Sequence, residues 1–294
     1  MTPCKESDTR HAINSFAATG GIVEFIERPA PVAMTASPSF EALGSLITLK
    51  SIWRTKRITS RSAIKKASLL HYRFGRRVLV ADCDYPQWSI LDQRRRELAL
   101  LDRSKYYKLT MIRQFKASGR KIWPVLECRA DTALDAVSRH LASDDETYDY
   151  VLFDLPGTVA TSGVISLIAA LERVFIPMKA DRMIMESSIT FARLVREKLV
   201  AADRYTVRGV HPFWSMIDKR ERTPLYDHYD EVLRAYSLEV MQTHVPARSR
   251  FSRELQPLSG PVYRSTLYPA NESFMLECRL DALCREIISL TETK

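Results

Sequence analysis

Two carboxylates follow an apolar run in the segment Val78–Gln87, which reads VLVADCDYPQ. The apolar residues predict a buried parallel strand that passes into a loop at Asp82, and Asp84 lies two residues further on. In open α/β sheets, ligands bind at the edge formed by the carboxyl ends of the strands. Two carboxylates there would repel each other unless they faced a cation, hydrogen-bond donors or a polarised water. The segment therefore predicts a polar site with positive charge opposite it.

Asp154 ends a second apolar run, Tyr148–Asp154, and Leu155-Pro-Gly157 follows it directly. A carboxylate at such a strand end can hold a magnesium-bound water beside a nucleotide. Alternatively, a strand-terminal Asp caps the helix that follows. Two such ends in one sheet favour the functional interpretation over the structural one.

Composition and charge set the broad class of the protein. Among the 294 residues, Lys and Arg outnumber Asp and Glu by 44 to 35, which favours an anionic partner such as nucleic acid or phosphate, or else a basic but inert surface. No apolar run reaches the roughly eighteen residues that span a bilayer, and no signal peptide is expected. The five cysteines form no CxxC pair, so reduced thiols in a cytoplasmic protein are expected.

Alternating apolar strands and amphipathic helices predict an α/β fold with a doubly wound, mostly parallel sheet over residues 46–294. Residues 1–45 lack sustained periodicity and are expected to form a poorly ordered leader. The predicted strands are Val78–Ala81, Lys121–Glu127, Tyr148–Asp154, Arg173–Met178, Val207–Ile217 and Leu238–Val245. The predicted helices are Ala63–Phe74, Ser89–Leu101, Thr132–Leu141, Val164–Leu171, Met183–Ala202, Leu225–Tyr236 and Ala282–Leu290.

Several separated motifs between Ala67 and Leu290 resemble those of the ParA/MinD-type ATPases, the deviant-Walker class of P-loop NTPases. The resemblance is closest to the ParA-like TraA proteins of conjugal transfer in Bacteroides-type conjugative elements. The motifs are DCDYPQ at 82–87, FDLPGT at 153–158 with ADR at 180–182, WSMIDKRE at 214–221, and RSTLYP at 264–269. Their order along the chain matches that of the family.

The resemblance implies a nucleotide-dependent homodimer that hydrolyses ATP with magnesium in DNA partitioning or conjugal transfer. Asp82 and Asp84 would be catalytic residues of switch I, near the hydrolytic water. Asp154 would be the Walker B carboxylate and would contact the magnesium shell. A partner protein of the transfer or partition machinery is a further expectation, and a membrane is not.

The phosphate-binding loop departs from the family pattern, K-G-G-x-G-K-[ST]. The family spacing places Lys56 on the signature lysine, Arg61 on the phosphate-binding lysine and Ser62 on the magnesium-ligating hydroxyl. The three glycines, which let the backbone approach phosphates, are replaced by Arg57, Ile58 and Ser60. ATP binding is therefore expected to be weak or absent. The likeness also ends abruptly before Ala67, which leaves a reading-frame disruption and a diverged start both open.

Nonspecific DNA contacts in the family come from basic residues in the second half of the chain. Here the candidates are Arg208, Lys219, Arg220, Arg222, Arg248 and Arg250. The alternative to an active ATPase is a catalytically inactive ParA-fold protein that binds DNA or a partner protein.

Overall fold

The computed structural model describes residues 49–52, 59–157, 163–218 and 225–292. In these residues one sheet of seven strands has the order β3-β2-β4-β1-β5-β6-β7, and its strand pairs are parallel. The strands are β1 (Leu49–Ile52), β2 (Val78–Asp82), β3 (Val125–Glu127), β4 (Tyr150–Asp154), β5 (Arg173–Met178), β6 (Gly209–Ile217) and β7 (Val245–Pro246). The predicted parallel sheet is confirmed.

Helices cover both faces of this sheet, as in a doubly wound fold. They are α1 (Thr59–Ser68), α2 (Ser89–Arg103), α3 (Lys105–Ser118), α4 (Ala133–Ser143), α5 (Val164–Ala170), α6 (Arg182–Leu194), α7 (Leu225–Ala235), α8 (Glu272–Glu277) and α9 (Leu280–Glu292). A π-helical turn extends α1 over Leu69–Arg73, and another extends α6 over Val195–Val200. No described helix is long and apolar enough to cross a membrane.

The central strands are buried on both faces, which explains their continuous apolar runs. In β2, Leu79 and Ala81 pack in the core that includes α4, α5, α6 and α7. Val78 and Val80 point to the other face, into the core that includes α1, α2, α8 and α9. A third, smaller cluster joins α3 to Leu267 and Tyr268. The fold therefore has two helical layers, and α3 forms an additional outer element.

The short strand β1 occupies the middle of the sheet, between β4 and β5. Its last residue, Ile52, is in register with Asp154 of β4, which is in register with Asp82 of β2. The chain leaves the sheet at Ile52 and enters α1 at Thr59. Three strand ends therefore align at one edge, next to the point where the chain passes from β1 to α1.

Several element predictions are confirmed and others are corrected. Strand Arg173–Met178 has its predicted bounds. The predicted strand Leu238–Val245 is wrong, because only Val245–Pro246 pairs with β6. The strand predicted over Lys121–Glu127 begins only at Val125. Neither β1 nor α3 is predicted from the sequence, and the expected leader lies outside the described residues.

Candidate functional site

Asp82 and Asp154 lie side by side at the carboxyl edge of the sheet. Each is the last residue of its strand, and the two are register partners in the parallel pair of β2 and β4. Both side chains are fully buried, at 0% exposure. The structure therefore brings together the two strand-end carboxylates that the sequence singles out. Their functional roles are still predictions.

The Asp82 carboxylate accepts hydrogen bonds from three backbone N–H groups. Oδ2 accepts from Ile90 at 3.0 Å and from Leu91 at 3.1 Å, and Oδ1 accepts from Asp84 at 3.3 Å. The helix α2 begins after Trp88, whose side chain does not cap it. The first N–H groups of a helix need an acceptor and favour a negative charge. Asp82 supplies both from the neighbouring strand, so these bonds favour the capping interpretation for this residue.

Asp84 lies in the turn between β2 and α2 and is buried. Its backbone carbonyl accepts from the N–H groups of Gln87 at 2.7 Å and Trp88 at 2.8 Å. The Tyr85–Pro86 bond within this turn is cis, and the exposed Tyr85 ring has the Arg129 guanidinium 4.9 Å from its centroid. The turn places a second carboxylate close to Asp82 on the same edge.

Asp154 has a different neighbour, the buried Lys66 of α1. Lys66 is 2% exposed, and its Nζ lies 4.3 Å from the centroid of the Phe213 ring. Burial lowers the pKa of Lys66 to about 7, while the nearby Cys284 and Asp154 act in the opposite direction. Nζ has no hydrogen-bond partner among the described residues. The edge therefore contains an internal ammonium group that interacts electrostatically with Asp154.

Lys66 is absent from the residues predicted from the sequence. It lies four residues after Ser62, so the two residues share one face of α1. The four-residue spacing from Ser62 is the sequence signal that could have identified Lys66. A lysine one turn beyond a phosphate-binding loop would otherwise be assigned to a solvated helix face.

The predicted phosphate-binding residues are only partly described. Ser60, Arg61 and Ser62 belong to the first turn of α1, whereas Lys56, Arg57 and Ile58 lie outside the described residues. Because α1 follows β1, its N-terminal N–H groups lie at the same sheet edge as Asp154, where a helix dipole favours anions. The backbone order therefore fits a phosphate-binding element, while the residue types do not.

The residues at this edge fit magnesium in one part and fail to fit the phosphates of ATP in the other. The buried carboxylate of Asp154 is chemically suited to a hard cation, and magnesium at nucleotide sites takes one or two carboxylates plus phosphates and water. In the part of the chain that the structure describes, no group of three or more His, Cys, Asp or Glu could hold a metal ion. The sequence between Ile52 and Thr59, WRTKRI, contains no glycine and does not fit a close phosphate cradle.

The RSTLYP motif has a structural role in the fold. Glu97 of α2 accepts from the Ser265 hydroxyl at 3.0 Å, and from the hydroxyl and N–H of Thr266 at 2.6 and 2.7 Å. Arg94 donates to the Thr266 carbonyl at 3.0 Å. The pKa of Glu97 lies above its ordinary value, because burial raises it by more than the hydrogen bonds from Gln93 and Thr266 lower it. The motif thus anchors α2, the helix that Asp82 caps.

The structure does not bring the predicted DNA-binding residues together. Arg248 and Arg250 follow β7 and both bind the carboxylate of Glu277. Arg208 is exposed but precedes β6, at the opposite edge of the sheet. The other candidates, Lys219, Arg220 and Arg222, lie outside the described residues.

Comparison with known proteins supports the fold assignment. No family model and no curated protein matches the chain. A plasmid partition protein from Borrelia burgdorferi B31 bound to AMPPNP is similar at 16% identity, with a TM-score of 0.50 over 81% of this chain and 98% of that one. McdA of Cyanthece matches at 15% identity, with a TM-score of 0.47 over 81% and 99%. The MinC:MinD complex of Aquifex aeolicus matches at 12% identity, with a TM-score of 0.43 over 69% and 82%. From the first of these likenesses, we conclude that the chain has the P-loop NTPase fold of the ParA/MinD type.

Proposed function

We propose that this chain is a ParA-like protein that partitions or transfers the DNA of a mobile element, and that its nucleotide site is degenerate in its phosphate-binding half. The observation that carries the proposal is the alignment of Asp154 with Ile52, where the chain leaves β1 for α1. This is the edge at which ligands of open α/β sheets bind. The AMPPNP bound by the Borrelia partition protein supports a nucleotide as the ligand of this fold.

In this proposal Asp154 and Ser62 would hold a magnesium ion, and Lys56 and Arg61 would contact phosphates. The ion would neutralise charge on the phosphates when bound. Asp84 would lie near the attacking water, while Asp82 would hold α2 in place through its bonds from the Ile90 and Leu91 N–H groups. No hydrolytic step follows from these residues as they stand, because the loop before α1 does not fit a phosphate cradle.

The second candidate is a catalytically inactive member of the same fold that binds DNA or a partner protein. The replacement of the three loop glycines by Arg57, Ile58 and Ser60 favours it, because those side chains crowd a close phosphate cradle. In either form of the proposal, the chain forms a homodimer and binds a partner protein of the transfer or partition machinery.

Calorimetric titration with Mg-ATP tests the proposal. We expect no binding in the micromolar range by the chain as it is. Loss of the loop glycines removes N–H contacts worth ~1.5–3 kcal/mol each, and two such losses weaken binding roughly a hundredfold. The variant Arg57→Gly/Ile58→Gly/Ser60→Gly/Arg61→Lys should recover measurable affinity, because the neighbouring strand ends at Asp82 and Asp154 supply carboxylates at the same sheet edge.

Arg61→Lys alone is the matched control. It restores the ammonium but keeps the three crowding side chains, so it should not recover binding. Micromolar affinity of the unchanged chain would contradict the degenerate loop. Absence of binding by the fourfold variant, with its fold verified by circular dichroism, would contradict the nucleotide site itself.

A further inference from the structure

Helix α3, Lys105–Ser118, carries only positive charge. Its ionisable basic residues are Lys105, Lys108, Arg113 and Lys116, and it has no acidic residue. The stretch from Arg103 to Lys121 contains seven Lys or Arg residues and no Asp or Glu. This concentration of charge exceeds that of the chain as a whole, in which acidic residues number 35 against 44 basic ones.

The basic residues of α3 lie on its solvent face. Lys105, Arg113 and Lys116 are exposed, whereas Tyr107 and Met111 are buried on the opposite side. At the α-helical spacing of 100° per residue, positions 105, 113 and 116 fall on one side of the helix. They extend over 11 residues, or about 16 Å along the axis.

These cations have no partners in the part of the chain that the structure describes. None of the four basic residues of α3 forms an ion pair there, whereas Arg95, Arg96 and Lys121 beside the helix each do. Two of the basic residues that the sequence suggests for DNA binding, Arg248 and Arg250, are by contrast bound to a carboxylate. The face of α3 is therefore uncompensated positive charge.

The surface against which α3 packs does not supply the missing carboxylates either. Tyr107 donates to the carbonyl of Gln256, Tyr268 donates to the carbonyl of Tyr107, and Gln114 donates to the carbonyl of Leu267. The segment that makes these contacts, residues 255–268, contains no Asp or Glu. The one acidic residue directly beside the helix in sequence is Asp102, at the end of α2.

We propose that the solvent face of α3, defined by Lys105, Arg113 and Lys116, binds the phosphate backbone of duplex DNA. Three cations over about 16 Å match four or five successive phosphates of one strand, which rise about 3.4 Å each along the duplex. Such contacts position a protein on DNA without reading its sequence. The proposal rests on the proposed function for its ligand, DNA, and adds the surface that contacts it, and its test needs no nucleotide.

An anionic lipid surface fits this helix less well than DNA does. Binding in a membrane interface requires an apolar face that is free to enter the lipid. The apolar face of α3 is already buried in the protein, through Tyr107 and Met111. Only Tyr106 at 46% and Leu109 at 43% exposure project from the solvent side. The charge is therefore better matched to phosphates that stay outside the protein.

Fluorescence anisotropy of a labelled 20-base-pair duplex, titrated with the full chain in a salt series without nucleotide, tests the proposal. The variant Lys105→Gln/Arg113→Gln/Lys116→Gln removes the three cations. Its affinity should fall roughly tenfold or more at low salt, and the slope of log K against log salt should become shallower by about 2–3 units. The control Arg139→Gln/Arg196→Gln/Lys198→Gln removes three exposed charges from α4 and the extension of α6, on the other face of the sheet.

The control variant should bind within about twofold of the unchanged protein. Equal losses in both variants would show that only net charge matters and would overturn the proposal. It would also be overturned if the unchanged protein failed to bind the duplex at low salt, or if the α3 variant lost binding to phosphatidylglycerol vesicles while keeping its affinity for DNA. All six substituted residues are exposed, so thermal unfolding should show that each variant keeps its fold.

Discussion

Asp82 and Asp154 end neighbouring strands at the same register position, yet their surroundings differ. Asp82 accepts hydrogen bonds from the first N–H groups of α2. Asp154 lies near a buried ammonium group, Lys66 of α1. The two residues look equivalent in sequence, since each follows an apolar run and precedes a turn. The difference comes from the helix that packs against each strand end.

This comparison separates a structural carboxylate from a candidate functional one. The helix that follows β2 begins seven residues after Asp82, and its N-terminus returns to the strand end that it left. At Asp154, the adjacent helix is instead the one that follows β1, which is the element expected to bind phosphates. The role assigned to a strand-end carboxylate therefore depends on which helix lies next to it in space. Three predictions test the distinction.

The largest expected effect of a substitution at a single pH is on stability, at Asp82. Asp82→Ala leaves the N–H groups of Ile90 and Leu91 without their acceptor inside the protein. Because bonds to a charged group contribute about 1.5 kcal/mol or more each, the free energy of unfolding should fall by about 3 kcal/mol. Asp82→Asn keeps one acceptor oxygen and should lose about half as much. Urea unfolding followed by circular dichroism measures both.

Asp92→Ala is the control for that experiment. Asp92 lies in the first turn of α2 but is partly exposed and pairs with Arg95 on the surface. Surface pairs contribute about 0–1 kcal/mol, so this change should be nearly neutral. If Asp82→Ala costs no more than Asp92→Ala, the capping role of Asp82 is wrong.

The second expected effect concerns pH, at Lys66. Its pKa in the folded protein is about 7, below the ordinary value of 10.5. Between these pH values the unfolded chain binds one more proton than the native state, so native stability rises with pH. This one group should contribute about 1.4 kcal/mol per pH unit over that window, and no slope below or above it.

Lys66→Met removes this contribution while it conserves most of the side-chain volume. From pH 7 to pH 10, the unfolding free energy of the unchanged protein should therefore rise steadily relative to that of Lys66→Met. Urea unfolding at four pH values within this window gives the difference directly. Parallel stability profiles for the two proteins would show that Lys66 is not a buried titrating group.

The smallest expected effect is the coupling between Lys66 and Asp154. At a pH below 7, where Lys66 is protonated, a double-mutant cycle with Lys66→Met and Asp154→Asn should give a coupling energy of about 1 kcal/mol, because the two charges attract each other. The same cycle with Lys66→Met and Asp82→Asn should give a value near zero, since Asp82 is not among the charges that act on Lys66. Equal coupling in the two cycles would remove the distinction between the carboxylates.

The parallel sheet could be predicted because its central strands are continuous apolar runs. Val78–Asp82 and Arg173–Met178 are buried nearly throughout, so their sequences carry a strong signal. The motifs at Asp82 and Asp154 likewise predicted which strand ends would meet. The predicted strand Leu238–Val245 failed because its apolar residues Leu238 and Met241 pack into the cores, and before Val245 no ladder pair with β6 forms, although the Met241 N–H donates to the Pro212 carbonyl.

The remaining features depend on contacts between distant parts of the chain. Helix α3 is hard to predict because its buried Tyr107 bonds to Gln256, 149 residues away. Strand β1, with the sequence LKSI, has half of its residues polar, and its place between β4 and β5 is set by the sheet. The capping role of Asp82 depends on where the N-terminus of α2 lies, which no local pattern specifies.

We propose that Asp154, and not Asp82, belongs to a nucleotide site. The most direct test is calorimetric titration of ATP, with and without magnesium, in the variant whose loop glycines are restored. Adding Asp154→Asn should abolish the gain in affinity that magnesium provides, because one carboxylate ligand would be lost. Adding Asp82→Asn should leave that gain intact in the folded fraction. Loss of the magnesium-dependent gain with Asp82→Asn, and its retention with Asp154→Asn, would contradict the account.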